Sequence, residues 1–277
     1  MSTPTADVAP LAHQISGPPD PAPPVVLLNG GMMTYASWEG VAERLRGRYR
    51  VLAFDFRGQL LSPGEAPLDL AAHAADVADL MDQVGWESAH LVGTSFGAEV
   101  ALELAAARPE RARSLVAITA MDRSTPGLEE GSETMRAILA ELGTPSGGEA
   151  RERFWDVMVE GVYSAAYRER EAAMLASRRA QLSILPATWF AGVDRLLGAV
   201  ENFDLTAKLP AVRCPALVVS AAGDRVMDPE RSAALARALG AETAVHPTSG
   251  HGLVAEDPEW LAEVVLDFLD RIEAGAG

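Results

Sequence analysis

The chain has 277 residues, of which 48% are hydrophobic and 22% charged, as in ordinary soluble globular proteins. Its net charge of −16 and its single lysine, Lys208, argue against nucleic acid as a partner, because phosphate backbones require clustered Lys and Arg. No stretch reaches the roughly 18 apolar residues of a membrane helix, and no signal-peptide pattern precedes the first strand. We therefore expect no membrane partner and a cytoplasmic location. We also expect a small-molecule substrate and a monomer or homodimer.

Short apolar runs alternate along the chain with longer segments of helical period. The runs are rich in Val, Leu and Ile and are bounded by Gly, Pro or Asp, which is typical of buried strands; they cover residues 25–28, 51–54, 90–92, 115–119, 216–220 and 243–246. Helical patterns follow at 68–84, at 96–107 and at 258–272, where Pro258 begins the segment. This alternation predicts a mostly parallel sheet with helices on both faces.

Residues 122–209 interrupt the alternation, because they contain helical patterns such as 149–162 and 165–185 and no convincing strand. We interpret them as an α-helical cap inserted after the sixth strand, with residues 1–121 and 210–277 forming the core domain. An ordinary extra helical layer is the alternative interpretation.

The strongest local motif is Gly93-Thr94-Ser95-Phe96-Gly97, a G-x-S-x-G pentapeptide. It follows an apolar strand and opens a helix, which is where a nucleophilic serine is held on a sharp turn. The glycines suit this turn because side chains at the flanking positions would clash. The motif therefore predicts Ser95 as a nucleophile.

Together these segments resemble the α/β-hydrolase fold superfamily along nearly the whole chain. Residues 27–32 resemble its oxyanion loop, and Trp38 matches the aromatic that usually follows. Residues 55–59, followed by Ser62, resemble the turn after the next strand, and the Ser95 motif comes third in the family's order. The resemblance implies an α/β fold with a mostly parallel, doubly wound sheet of about eight strands.

A serine nucleophile needs a base and a group that orients the base. The resemblance places His251 as the base, in the loop before the final helix, with His246 as its rival. It places Asp224 as the acid after the preceding strand, while Asp228 is better suited to cap the helix that begins at Pro229. The order Ser, Asp, His is the one this fold uses.

The oxyanion hole requires two backbone N–H groups. Phe96, the residue after the nucleophile, should provide one. Alignment with the family's loop puts the second on Gly31, with Met32 as the alternative, and leaves Asn29 where the family usually has His.

Apolar side chains next to these loops and in the cap predict a hydrophobic pocket. As substrate-binding residues we expect Met32, Trp155, Trp189, Val226 and Leu253, although about half of such apolar residues should belong to the core. No zinc-binding or dinucleotide-binding motif is found, so we expect neither metal nor cofactor.

The sequence thus predicts a serine hydrolase that cleaves a carboxylic ester or related acyl bond of a small, mostly apolar substrate through an acyl-enzyme. A C–C bond hydrolase or an enol-lactonase with the same triad is the first alternative. A non-catalytic ligand-binding homologue of the fold is the second, because a triad shows capacity rather than purpose.

Overall fold

The structure, a computed structural model, describes residues 10–62, 64–142 and 147–275, so the outer ends of the predicted core domain and part of the predicted cap lie outside the described residues. One seven-stranded sheet forms the centre. Its strands are β1 (His13–Ser16), β2 (Pro24–Leu28), β3 (Arg50–Phe54), β4 (Ala89–Thr94), β5 (Ala112–Ile118), β6 (Ala216–Ala221) and β7 (Glu242–His246). Each predicted strand run overlaps one of β2 to β7, which confirms the α/β fold with a mostly parallel sheet.

The predicted helical segments all correspond to helices of the structure. The helices are α1 (Glu39–Leu45), α2 (Leu70–Gln83), α3 (Phe96–Ala107), α4 (Pro126–Ala140), α5 (Gly147–Val162), α6 (Ala165–Arg170), α7 (Ala172–Gln181), α8 (Ala187–Ala199), α9 (Pro229–Leu239), α10 (Leu253–Glu256) and α11 (Pro258–Gly275). Of these, α1, α4, α8 and α10 lie where no segment was predicted. The predicted helix 165–185 is divided into α6, α7 and a short 3-10 turn at Leu182–Ile184.

Two details of the predicted sheet require correction. The described residues form seven strands rather than about eight, and the helical segment follows the fifth strand in the chain rather than the sixth. Between Pro10 and β2 the chain forms only β1 before it turns at Gly17, whose φ of 98° suits glycine. This four-residue edge strand pairs antiparallel with β3 and was not predicted, because it is short and mostly exposed.

The strand order is β1-β3-β2-β4-β5-β6-β7. From β2 the chain passes to β3 on one side of it and then returns to β4 on the other, so the order reverses between β2 and β4. Residues that follow these two parallel strands meet at one edge of the sheet, where ligands bind in open α/β sheets.

Two apolar cores cover the two faces of the sheet. One lies under α1 and α11 and includes Trp38, Leu45 and Phe268. The other lies under α2, α3 and α9 and includes Phe54, Met81 and Leu235. Burial of these faces holds the strand ends, and the loops that leave them, in place.

The helical segment, residues 122–209, leaves and rejoins the sheet at a single point. Its two ends pair with each other through an antiparallel bridge between Arg123 and Asp204. The Ser124 N–H donates to the Phe203 carbonyl at 2.8 Å, and the Leu205 N–H donates to the Asp122 carbonyl at 2.8 Å. Because the ends are tied together, α4 to α8 form an excursion between β5 and β6.

The helical segment has apolar clusters of its own. One contains Met135, Phe154, Trp189 and Phe190, and a smaller one contains Trp155, Leu175 and Leu182. No helix within the described ranges is long and apolar enough to cross a membrane.

Candidate active site

Ser95 occupies a sharp turn between β4 and α3. Its φ of 51° and ψ of −129° are unusual for a residue with a side chain, a strain of about 1–3 kcal/mol that the surroundings must impose. A Cβ on Gly93 would lie 2.7 Å from the Ala98 nitrogen, and one on Gly97 would lie 2.5 Å from the Asn29 carbonyl oxygen. The two glycines therefore allow α3 to start against the end of β2, with the Ser95 side chain partly exposed at the turn.

Three side chains from separate loops meet at this turn. His251 Nε2 lies 3.0 Å from Ser95 Oγ, and His251 Nδ1 lies 3.0 and 3.2 Å from the two carboxylate oxygens of Asp224. The Asp224 carboxylate also accepts the Val226 and Met227 N–H groups, each at 2.9 Å. The Asp224 carboxylate thus orients the His251 imidazole, and N–H groups of the Asp224 loop hold that carboxylate in place.

The two rival residues lie elsewhere. His246 Nδ1 accepts the Ser249 N–H at 2.9 Å, and its ring packs edge-on against Trp260, so it supports the loop before His251. Asp228 is the N-cap of α9 and accepts the Glu230 N–H at 2.9 Å, as predicted.

Gly31 and Phe96 face each other across the strand ends. A Cβ on Gly31 would lie 4.0 Å from the Phe96 Cβ. The backbone N–H groups of both residues are without a hydrogen-bond partner in the part of the chain that the structure describes.

A buried polar network supports the Gly31 loop. Asn29 donates from Nδ2 to Gln59 Oε1 at 3.0 Å and accepts from Trp38 Nε1 at 2.9 Å. Gln59 in turn donates from Nε2 to the Gly30 carbonyl at 2.7 Å and the Gly31 carbonyl at 3.3 Å. Gln59 was not predicted as a site residue, although it lies inside a motif that the sequence identifies.

Asp55 completes this network. Its carboxylate accepts from the Tyr35 N–H at 2.6 Å, from the Leu61 N–H at 2.9 Å and from Asn29 Nδ2 at 3.3 Å. Burial raises the pKa of this carboxyl, and the hydrogen bonds oppose that rise. Asn29 thus takes part in a satisfied network, which is what a buried amide requires.

The five residues predicted to bind substrate are dispersed. Met32 is partly buried and packs against the cluster that contains Trp189. Val226 is partly buried and lies 3.9 Å from the position of a Cβ on Gly161 of α5. Trp155 packs against α7 in the smaller cluster of the helical segment. Leu253 is fully buried in the core under α1 and α11.

Glu99, one turn after Ser95 on α3, is a fully buried carboxyl that the sequence did not indicate as special. Its Oε1 accepts the Met121 N–H at 3.2 Å, and its Oε2 has no hydrogen-bond partner in the described part of the protein. Burial raises its pKa to about 8, and the negative charge of Asp224 contributes to the rise. The rise in pKa favours the protonated form of Glu99 at neutral pH.

Replacing Glu99 with Gln should stabilise the protein increasingly as pH rises. Below the ordinary pKa of 4.5 both folded and unfolded chains are protonated; between 4.5 and about 8 only the unfolded chain releases the proton, so wild-type stability falls. One such proton corresponds to about 1.4 kcal/mol per pH unit, and we expect E99Q to gain more than about 1 kcal/mol over wild type between pH 5 and 8. Urea denaturation at pH 5, 6.5 and 8 measures this, with the exposed Glu87→Gln as control; parallel curves for E99Q and wild type would contradict it.

Within the described residues, no three or more His, Cys, Asp or Glu side chains form a cluster that could hold a metal ion. The site consists of a hydroxyl, an imidazole, a carboxylate and two free backbone N–H groups. Such groups can transfer protons and stabilise an oxyanion beside a nucleophile.

Comparison with known proteins agrees with this architecture. The alpha/beta hydrolase family profile matches residues 25–264. The protein named "Putative carbamate hydrolase RutD" from Caulobacter sp. (strain K31) is 29% identical, over 94% of this chain and 95% of its own length. The crystal structure of the enol-lactonase from Burkholderia xenovorans LB400 is 27% identical with a TM-score of 0.80, covering 96% of this chain and 100% of that one. A thermophilic esterase from Thermogutta terrifontis is 26% identical with a TM-score of 0.78, covering 95% of this chain and 93% of that one. The chain therefore belongs to the alpha/beta hydrolase family and is a hydrolase.

Proposed function

We propose that this hydrolase cleaves a carboxylic ester or a related acyl bond by nucleophilic catalysis at Ser95. The observation that carries the proposal is the continuous contact from Ser95 Oγ to His251 Nε2 at 3.0 Å and from His251 Nδ1 to Asp224 at 3.0 Å. In this arrangement a base can take the serine proton while a carboxylate stabilises the resulting imidazolium.

The reaction proceeds in two acyl transfers. Ser95 Oγ attacks the carbonyl carbon as its proton passes to His251 Nε2, and His251 then gives that proton to the leaving alcohol as the old C–O bond breaks. Water then attacks the acyl-enzyme and loses a proton to His251. His251 returns this proton to Ser95 Oγ as the bond to the acyl group breaks, which releases the acid and free Ser95. Asp224 accepts the proton on Nδ1 of His251 as a hydrogen bond, which keeps the imidazole in the tautomer whose Nε2 is unprotonated and can accept the serine proton.

The N–H groups of Gly31 and Phe96 bind the oxyanion in both steps. Their proximity and their lack of other partners support this role. A donor of this kind contributes about 3–4 kcal/mol to lowering the barrier. Gln59 donates to the Gly30 carbonyl, which shares a peptide group with the Gly31 N–H, and Asn29 donates to Gln59, so these buried amides keep the donor in position.

We further propose that residues 122–209 act as a helical cap over the site, attached to a core domain of residues 1–121 and 210–277. The pairing of Asp122 with Leu205 at the base of the segment supports these boundaries. Met32, beside Gly31, packs against the apolar cluster of Trp189 and Phe154. An acyl group held between this loop and the cap would meet apolar side chains, which favours a small, mostly apolar substrate.

A carbamate is the second candidate substrate class. The relatives that align over nearly the whole chain are named for carbamate hydrolysis, and a carbamate offers Ser95 the same heteroatom-bound carbonyl as an ester. The similarity to an enol-lactonase adds a cyclic ester to the candidate substrates, and its carbonyl is likewise bound to a heteroatom. All three substrates form a tetrahedral intermediate that the proposed oxyanion hole would bind.

The test is a stopped-flow measurement with p-nitrophenyl esters from acetate to decanoate and with a p-nitrophenyl N-alkylcarbamate. With these activated substrates we expect acylation to be faster than deacylation, so that the acyl-enzyme accumulates; this gives a burst of about one p-nitrophenol per chain and a matching mass increase on the peptide that contains Ser95. The acyl length that gives the highest kcat/KM indicates the length of the acyl-binding pocket. A folded enzyme that releases no p-nitrophenol from any of them would overturn the proposal and favour C–C bond hydrolysis or a non-catalytic ligand-binding role.

A further inference from the structure

The loop that carries His251 is in direct contact with the junction between α5 and α6. The Gly252 N–H donates to the Val162 carbonyl at 2.8 Å. A Cβ on Gly252 would lie 2.6 Å from the Tyr163 ring, and one on Gly250 would lie 2.8 Å from the Ser164 nitrogen. Both neighbours of His251 are therefore glycines that allow the helical segment to approach the loop closely.

Glu256, at the end of α10, joins the two elements. Its Oε1 accepts the Ser164 N–H at 2.8 Å and the Gly250 N–H at 3.1 Å, and its Oε2 accepts the Ser164 hydroxyl at 2.6 Å. The Glu256 carbonyl also accepts from Arg170 of α6 at 3.1 Å. The side chain is buried, so its carboxylate depends on these donors rather than on water.

The donors come from both sides of the contact. Ser164 belongs to the helical segment, whereas Gly250 immediately precedes His251 in the chain. Bonds to a charged group are stronger than bonds between neutral groups, and a buried donor left unmatched costs its full desolvation penalty. Movement of the α5–α6 junction therefore disturbs the carboxylate that also holds the Gly250 peptide.

We propose that Glu256 is a positioning residue that ties the docked helical segment to the His251 loop, and so keeps His251 Nε2 within hydrogen-bond distance of Ser95 Oγ. The proposal rests on the function proposed above for Ser95 and His251. Glu256 is not among the reacting groups. It acts on His251 through its hydrogen bond to the N–H of Gly250, the residue before His251.

The test compares Glu256→Gln with Glu259→Gln. Gln removes the negative charge and keeps one acceptor oxygen in place of two, so it cannot accept all three donors that the two Glu256 oxygens accept. Glu259, three residues later, is exposed and pairs with Arg44. For E256Q we expect kcat per active site to fall about 10- to 100-fold, as small displacements of a catalytic group do, with KM changed less than about threefold. E259Q should keep wild-type kinetics. End-point labelling with a fluorophosphonate counts the active sites in each preparation.

The same data can overturn the proposal. If E256Q keeps kcat per labelled site within about twofold of wild type, Glu256 does not position His251, even if fewer sites are labelled. If E256Q does not fold, Ser164→Ala decides: it removes the hydroxyl bond to Oε2, together with the α6 N-cap bond that this hydroxyl accepts from the Tyr167 N–H at 3.2 Å. It should lower kcat about 3- to 10-fold, and an unchanged kcat overturns the proposal. Failure of the proposed function itself would be recognised separately, by full activity of Ser95→Ala.

Discussion

Replacing Ser95 with Ala is expected to lower kcat on the preferred p-nitrophenyl ester by about 10³-fold or more. Ala retains the fold of the turn but has no oxygen to attack the carbonyl, and only the oxyanion donors and substrate binding remain. KM should change little, because the hydroxyl acts mainly in the transition state. Steady-state kinetics of the purified variant measures this directly.

A matched control and a double variant sharpen this result. Ser183→Ala removes an exposed hydroxyl of the helical segment and should leave kcat unchanged. On the proposed mechanism Ser95 and His251 act as one unit, so the variant that lacks both side chains should be no slower than Ser95→Ala, within about threefold. A double variant slower by the product of the single effects would mean that His251 serves some other step, and an active Ser95→Ala would remove the nucleophile assignment.

The second large effect concerns folding. Gly97→Ala would place a Cβ 2.5 Å from the Asn29 carbonyl oxygen and closer still to that of Leu28, both of them backbone atoms of β2 and the loop that follows it. Neither atom can move without displacing the centre of the sheet. We expect the free energy of unfolding to fall by about 3 kcal/mol or more, which is at or above the largest loss that an overpacked core usually causes. The midpoint of urea denaturation measures the loss.

Gly131→Ala is the matched control for Gly97→Ala. Gly131 lies on the exposed side of α4, and a Cβ there would contact nothing within 4 Å. Since Ala restricts the unfolded chain and favours helix, this variant should be stabilised by about 0.5–1 kcal/mol. If both variants had the same midpoint, the close approach of α3 to β2 would not be a constraint on residue 97.

The fold was largely predictable because its signals are local. A run such as residues 216–220 shows its burial in its own composition, and α3 was predicted with its observed bounds because it follows the Gly93–Gly97 motif directly. The edge strand β1 was missed since its pattern is short and mostly exposed, and its pairing with β3 depends on residues about 40 positions away. The described part of residues 122–209 contains α4 to α8 and no strand of the sheet, in keeping with the helical patterns seen there, and Asp122 pairs with Leu205 at its base.

The site was predictable in part. Ser95, Asp224 and His251 come from recognisable motifs, and the structure brings them within hydrogen-bond distance although Ser95 and His251 are 156 residues apart. Gln59, Glu99 and Glu256 could not be selected in the same way, because each is an ordinary polar residue within its own segment. Only their burial distinguishes them, and burial depends on what packs above them.

The sequence by itself determined the alternation of strands and helices, the turn that presents Ser95 and the order in which Ser95, Asp224 and His251 occur. Each of these depends on side-chain period, on glycine at a tight turn or on motif order, all of which can be read along the chain. Only the tertiary structure decided that His251 rather than His246 meets Ser95, that Leu253 belongs to the core and that the α5–α6 junction contacts the His251 loop. These outcomes depend on strand order and on the docking of the helical segment, which bring together residues that share no local pattern.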